Sequence, residues 1–192
     1  MRPGQSFPIL LLVLLFPLTA FAGEQEKLDS GEILVETADV AGSDVPSITV
    51  TGVINVAPER VWAILEDCEN YAGRLPRIDE SREISRDGDI VICEVTVGLP
   101  FPMSDLSSQT RAVHTVGPPS WKREWTLIEG NYKINDGSWT LTTFNGDDSR
   151  TLAVYTVHAE PESRVPNRIR RRAQESSMPD IIETLRELTG AQ

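Results

Sequence analysis

The sequence predicts an α+β domain: a strongly curved antiparallel sheet of about seven strands, two short helices after the first strand, and a long C-terminal helix over a cavity. Three observations lead there. The run from Val56 to Ile78 reads as a strand end, a proline-started apolar helix and a second proline-marked exit. Alternating segments separated by turn-rich connections follow it, as in a meander of hairpins. The stretch from Val165 to Leu188 then repeats apolar residues at helical spacing.

The first core strand places Ile48, Val50, Gly52, Ile54 and Val56 on one face and Thr49, Thr51 and Asn55 on the other. Pro58 suits the first helical position, where its missing N–H is not needed, and Glu59 puts a carboxylate near the positive helix end. Val61, Trp62, Ile64 and Leu65 fall on one helical face that something larger must cover. Asp67 to Asn70 breaks this pattern, Tyr71 to Leu75 begins a second short helix, and Pro76 stops it. Asp67 is read as a helix cap. Strands are expected near 81–86, 89–98, 106–116, 121–129, 137–145 and 151–160. Their separators are Asp87-Gly88, Gly98 to Pro102, Gly117-Pro118-Pro119, Gly130 to Asp136 and Gly146-Asp147-Asp148, all turn formers. In the last segment Ile169, Ala173, Ile182, Leu185 and Leu188 form the apolar stripe, with Pro179 as a kink or restart. A strongly twisted sheet cannot bury its inner face against itself, so this helix should lie across the concave side with a cavity between the layers.

Residues 1–22 carry Arg2, an apolar core from Ile9 to Leu18 and Ala20-Phe21-Ala22 before Gly23, the order of a secretory signal cleaved near Ala22/Gly23. Pro17 interrupts the apolar run, which is short for a membrane span. The protein is therefore expected in the periplasm or secreted. Residues 23–45 are acidic and read mostly as a linker, with a short strand at Ile33 to Val35. Residues 46–190 form the one domain. The net charge of −11 argues against a nucleic-acid partner, because phosphate contacts need cationic surface. Cys68 and Cys93 would close a loop of about 25 residues if bridged; the alternative is two independent buried thiols, and the Cα separation decides. Zinc-type Cys and His spacing is absent, so no metal site is expected, and no cofactor motif occurs.

The "Pro-Glu-x-Val-Trp" helix with Trp62, then Asp67, Tyr71 and Leu75-Pro76, joined later by Gly137-Ser138-Trp139 and Leu152-Ala-Val-Tyr155, resembles the START-like superfamily of polyketide cyclases/dehydrases and lipid-transport proteins. The resemblance spans roughly residues 47 to 188 and looks nearest to the coenzyme-Q-binding branch. It implies the helix-grip fold and a cavity for a hydrophobic ligand, and it leaves the contents of that cavity open.

Trp121, Arg123, Trp125 and Leu127 share one strand face. If that face is interior, the Arg123 guanidinium needs a carboxylate, a carbonyl or a ligand head group, unless it snorkels to the rim. Trp125, Trp139 and Tyr155 are the aromatics expected to touch the cavity. The loop Leu99-Pro100-Phe101-Pro102-Met103 puts Leu99, Phe101 and Met103 in a connection stiffened by prolines, either a gate or membrane-touching tip or a loop folded onto the last helix. It should lie at the cavity mouth with the Leu75 to Ile78 exit and the Gly130 to Asp136 turn. Arg164, Arg168, Arg170, Arg171 and Arg172 cluster in an otherwise acidic chain; anionic lipid head groups or local carboxylates would pair with them. No nucleophile, base and oxyanion donors assemble around His114 or His158. The expected function is non-catalytic binding or transport of a hydrophobic small molecule, a lipid, quinone or fatty-acyl compound. A transient contact with an anionic membrane would accompany it. The alternative is a cyclase or dehydrase acting in the same cavity, with Tyr155, Arg123 or His158 moving a proton.

Overall fold

The computed structural model describes residues 18–99, 103–162 and 177–191, with side chains from Gly23 onward. Phe101, Arg164, Arg168, Arg170, Arg171, Arg172, Ile169, Ala173 and the apolar N-terminal run to Pro17 lie outside the described residues. The elements are α1 (Leu18–Asp29), β1 (Leu34–Ala38), β2 (Ser47–Ile54), α2 (Pro58–Leu65), a 3-10 turn (Cys68–Asn70), β3 (Ile78–Asp87), β4 (Ile90–Val97), β5 (Leu106–Thr115), β6 (Trp121–Gly130), β7 (Tyr132–Phe144), β8 (Asp147–Pro161) and α3 (Pro179–Thr189).

Among the described residues eight strands form one antiparallel sheet in the order β1-β2-β8-β7-β6-β5-β4-β3. β3 through β8 are a continuous meander, and the chain from β2 must cross the sheet to reach β3 at the far edge. That crossing carries α2 and the 3-10 turn. Helix α2 lies against β6, β7, β8 and α3, the turn lies against β3, and α3 lies on β2.

The eighth strand is β1, which adds to β2 with Val35 opposite Val50. Its alternation is weak and it faces water along most of its length, as an edge strand can. Helix α1 runs through the expected cleavage point, and its part after Gly23 is packed: Leu28 is buried with Val53 and Phe144 on the convex face, and Arg150 Nη1 donates to Asp29 at 2.7 Å. The short strand expected at Ile33 to Val35 is thus β1, running on to Ala38, whereas the helix in the segment expected mostly as linker is a departure from that expectation.

Boundaries shift for local reasons. The β7–β8 hairpin turns on Asn145 and Gly146, both at positive φ, which fits the tight two-residue turn that Asn-Gly favours and leaves Asp147 and Asp148 inside β8. β7 begins at Tyr132 rather than near Gly137, because Tyr132 is buried and its neighbour Asn131 bonds the adjacent connection. The expected second helix at Tyr71 to Leu75 is instead the earlier 3-10 turn followed by irregular chain. Gly73 at φ 71° cannot continue a right-handed helix. Asp67 makes no backbone cap; its carboxylate accepts from Asn70 Nδ2 at 2.9 Å and pairs with Arg74 at 3.6 Å.

Pro179 restarts the chain as α3, whose Ile182 and Leu185 are fully buried, while Leu188, expected on the same stripe, is exposed. Ile182 sits where a Cβ on Gly52 would fall, 2.7 Å from its Cγ2, so the glycine lets the helix approach β2. Arg186 Nε donates to Val53 O at 3.0 Å, and Arg60 Nη2 donates to Thr189 O at 2.9 Å, joining α3 to the sheet and to α2.

Candidate functional site

The ladder registers define the concave face. Ile48, Val50 and Gly52 of β2 stand beside Val157, Tyr155 and Ala153 of β8. Trp139 and Leu141 of β7 follow, then Trp121, Arg123 and Trp125 of β6, then His114, Ala112 and Thr110 of β5. The expected sharing of one face by Trp121, Arg123 and Trp125 is what the register shows.

Toward one end of this face lies an aromatic group. Trp125 stacks on Tyr155 with ring centroids 5.9 Å apart and planes 21° apart, and Tyr155 packs on Trp139 at 4.5 Å. Trp125 lies over Gly137, where an added Cβ would meet Trp125 Cη2 at 2.7 Å. The glycine is therefore the reason the indole can lie flat across β7. Trp125 Nε1 donates to Asn135 Oδ1 at 3.3 Å, and Asn135 Nδ2 donates to Ser108 Oγ at 3.0 Å, so the polar edge of the indole is held. Trp139 is buried, whereas Trp125 and Tyr155, like Val95, Ala159, Met178 and Ile181, pack against the core while keeping partial exposure. Burial raises the Tyr155 phenol well above its usual range.

Further along the face, under α2, lies Arg123, only 4% exposed. Nη1 donates to His114 Nε2 at 2.8 Å, Nη2 donates to Cys93 Sγ at 3.2 Å, and the guanidinium stands 5.8 Å from the centre of the Tyr71 ring. Arginine can only donate, so His114 Nε2 must be a bare acceptor and the imidazole must be the neutral Nδ1–H tautomer. Burial, reinforced by the Arg123 charge, pushes the His114 pKa down to about 4, in agreement with that tautomer. Trp62 meets the imidazole edge-on at 5.0 Å, and its buried Nε1 has no hydrogen-bond partner. Tyr71 donates its hydroxyl to Leu65 O. Among the described residues Arg123 has no carboxylate within ion-pair distance, so this interior is rich in donors and poor in charge acceptors. Arg123 is neither a rim residue nor half of a salt bridge there.

Cys68 and Cys93 are joined in a disulfide with Cα atoms 6.4 Å apart, tying the 3-10 turn to β4. The three connections expected at one end of the sheet do meet. Gly98 N donates to Arg77 O at 2.9 Å, Asn131 Nδ2 to Asp105 O at 3.0 Å and Ser107 N to Asn131 Oδ1 at 2.8 Å. Leu99 N donates to Asp105 Oδ1, and Met103 is exposed. His158 belongs to the convex side, 3.0 Å from Ser43 Oγ, and does not converge with Arg123 and Tyr155. A cavity of about 480 Å³ lies outside the concave face, between the end of α1, β2 and α3. Among the described residues no helix is long and apolar enough to cross a membrane, and no group of His, Cys, Asp or Glu gathers as metal ligands would.

His114, Trp62, Asn135 and Ser108 were not singled out from the sequence as site residues. His114 carried one usable signal: it alternates with Ala112 and Thr110, so pairing its strand with the next would have set it beside Arg123.

The fold and this face define a helix-grip protein. Residues 54–186 match the family described as polyketide cyclase / dehydrase and lipid transport, and the chain belongs to that family. A comparison with curated proteins finds no match. Among solved structures, the chain is similar to a STAR-related lipid transfer protein fragment from Xanthomonas axonopodis, at 15% identity and a TM-score of 0.72, covering 82% of this chain and 93% of that one. It is similar to human StAR-related lipid transfer protein 5, at 11% identity and a TM-score of 0.70, covering 90% and 97%. A Streptomyces aromatase/cyclase is also similar, at 14% identity and a TM-score of 0.51, covering 75% and 87%. At these identities the likeness is one of fold.

Proposed function

We propose that the protein binds a hydrophobic small molecule, a lipid, quinone or fatty-acyl compound, against its concave face and releases it unchanged. The observation that carries this reading is the partly exposed Trp125–Tyr155 stack on the inner face, on the same strand face as a buried guanidinium without a carboxylate. Aromatic surface on an inner face suits an apolar chain, and an uncompensated cation suits a polar head. Burying a chain of about 14 carbons at roughly 0.8 kcal/mol per methylene favours binding by about 11 kcal/mol before ordering costs. Arg123 orients the head; Trp125, Trp139 and Tyr155 line the chain; Leu99, Phe101 and Met103 gate the mouth. Arg168, Arg170, Arg171 and Arg172 meet an anionic membrane during exchange. The disulfide supports an exported, periplasmic or secreted setting, since such bonds persist in oxidising compartments. A quinone of the coenzyme-Q type is one cargo of this class.

The cyclase or dehydrase alternative needs an inward acid–base pair. The neutral His114 and the convex His158 supply no such pair among the described residues.

A brominated fatty acid tests the reading, because bromine quenches indole fluorescence only at contact. Saturable quenching that falls when Trp125→Leu removes the stacked indole supports it; fluorescence unchanged at saturating ligand overturns it.

A further inference from the structure

The two sulfurs of the disulfide sit in unlike surroundings, although both cysteines are fully buried. Cys93 lies mid-strand in β4, where Arg123 Nη2 donates to its sulfur. Cys68 lies on the 3-10 turn, whose next residues Glu69 and Asn70 are exposed and whose closing bonds are long, Asn70 N to Asp67 O at 3.2 Å and Tyr71 N to Cys68 O at 3.5 Å. No carboxylate touches the Arg123 guanidinium. Glu83 faces Cys93 across the β3–β4 ladder and feels the Arg123 charge, but its carboxylate is held by Arg86 at 2.7 Å. Asp67 is held by Asn70 and Arg74, His114 is neutral, and Tyr71 offers only its ring. A buried cation without a counter-ion favours any arrangement that places negative charge beside it. The Cys93 sulfur becomes that charge when the S–S bond opens.

We propose that Cys68–Cys93 is a polarised disulfide, a site of thiol–disulfide exchange with an external dithiol, in which Cys68 is attacked and Cys93 leaves as a thiolate paired with Arg123. The thiolate of the external dithiol forms a bond to Cys68 Sγ, and the S–S bond breaks with its electron pair on Cys93 Sγ. The second thiol of the reagent then gives up its proton and displaces Cys68, which takes a proton to become a thiol. The reagent ends as a disulfide, two electrons richer protein beside it, and charge is conserved. The direction follows from two facts. The Arg123 guanidinium donates to the Cys93 sulfur and not to that of Cys68, so it stabilises negative charge developing on Cys93, and a stabilised thiolate is the better leaving group. Access comes from the Cys68 side, where a short turn with exposed flanks opens at less cost than the β4 ladder. Reduction also gives Arg123 an internal counter-ion, so the same step withdraws the guanidinium from any external anion.

The full-length oxidised protein is equilibrated with glutathione, quenched with acid and mapped by peptide mass. Glutathione on Cys68 is the expected result; glutathione on Cys93, or no adduct under native conditions, overturns the proposal. In Cys68→Ser, the ultraviolet absorbance of the Cys93 thiolate should titrate below the ordinary thiol value of about 8.5 and move upward when Arg123→Met is added. A midpoint at or above the ordinary value overturns it. Half-reduction of wild type should need about tenfold less dithiol than Arg123→Met, and equal requirements overturn it. Should Arg123→Met fail to fold, the adduct position and the Cys68→Ser titration still decide.

Discussion

Acidifying the protein from about pH 7 to about pH 4 should weaken the fold through one buried imidazole. His114 is held neutral in the folded protein with its pKa lowered from 6.5 to about 4, by burial first and by Arg123 second. In the unfolded chain it protonates near its ordinary value, so below that pH the unfolded state binds a proton that the folded state refuses. Stability is therefore unaffected above about pH 7, falls as pH drops toward 4, and levels off below. At about 1.4 kcal/mol per pKa unit the loss is about 3 kcal/mol, a large share of the stability of a single domain. Urea unfolding of wild type and His114→Gln across this range measures it. The glutamine keeps an acceptor for Arg123 but cannot titrate, so its stability should fall by about 3 kcal/mol less than that of wild type. Acidic groups remote from His114 contribute equally to both proteins and cancel; Glu83, whose carboxylate interacts with the imidazole, is the one that differs between them. Equal pH slopes in the two would refute the neutral, donor-satisfied imidazole and with it the tautomer inferred from the Arg123 contact.

Three further outcomes follow from the packing. Gly137→Ala places a methyl group where Trp125 lies and should abolish the near-ultraviolet circular dichroism of the Trp125–Tyr155 stack and weaken quenching by brominated fatty acid, with far-ultraviolet signal retained. An unchanged near-ultraviolet spectrum would contradict that account. Ile182→Ala empties a fully buried position over Gly52 and should cost about 2 to 5 kcal/mol in urea unfolding; a loss below about 1 kcal/mol would show that α3 is not closely packed there. Replacing both cysteines by alanine opens a closed loop of 25 residues and should lower stability by about 3.5 kcal/mol on the chain-entropy scale, read as a lowered urea midpoint. An unchanged midpoint would show that the bridge constrains nothing in the unfolded chain.

Period-two alternation was enough to place Trp121, Arg123 and Trp125 on one face, because side-chain direction in a strand depends only on local parity. Pro58 and the apolar spacing after it located α2 for a similarly local reason. What escaped the sequence depended on partners distant in the chain. The counterparts of Arg123 required the register that sets His114 opposite it and Cys93 one strand further on. The Cys68–Cys93 bridge required a Cα separation that only the crossing of α2 and the 3-10 turn fixes. The short strand expected at Ile33 to Val35 is β1, but its full extent to Ala38 and its pairing with β2 did not show in the sequence, because an exposed edge strand alternates weakly. Two turns were misplaced by a residue or more where Asn rather than Gly supplied the first positive φ, as at Asn145, or where a buried aromatic, Tyr132, extended a strand beyond its expected start.

The central claim is that the concave face carries a hydrophobic cargo, and native mass spectrometry of the protein purified without denaturation or detergent tests it most directly. A bound species near one equivalent, identified after solvent extraction as a lipid, quinone or fatty-acyl compound, is the predicted result. A protein that arrives empty and takes up no member of a panel of these compounds would contradict it.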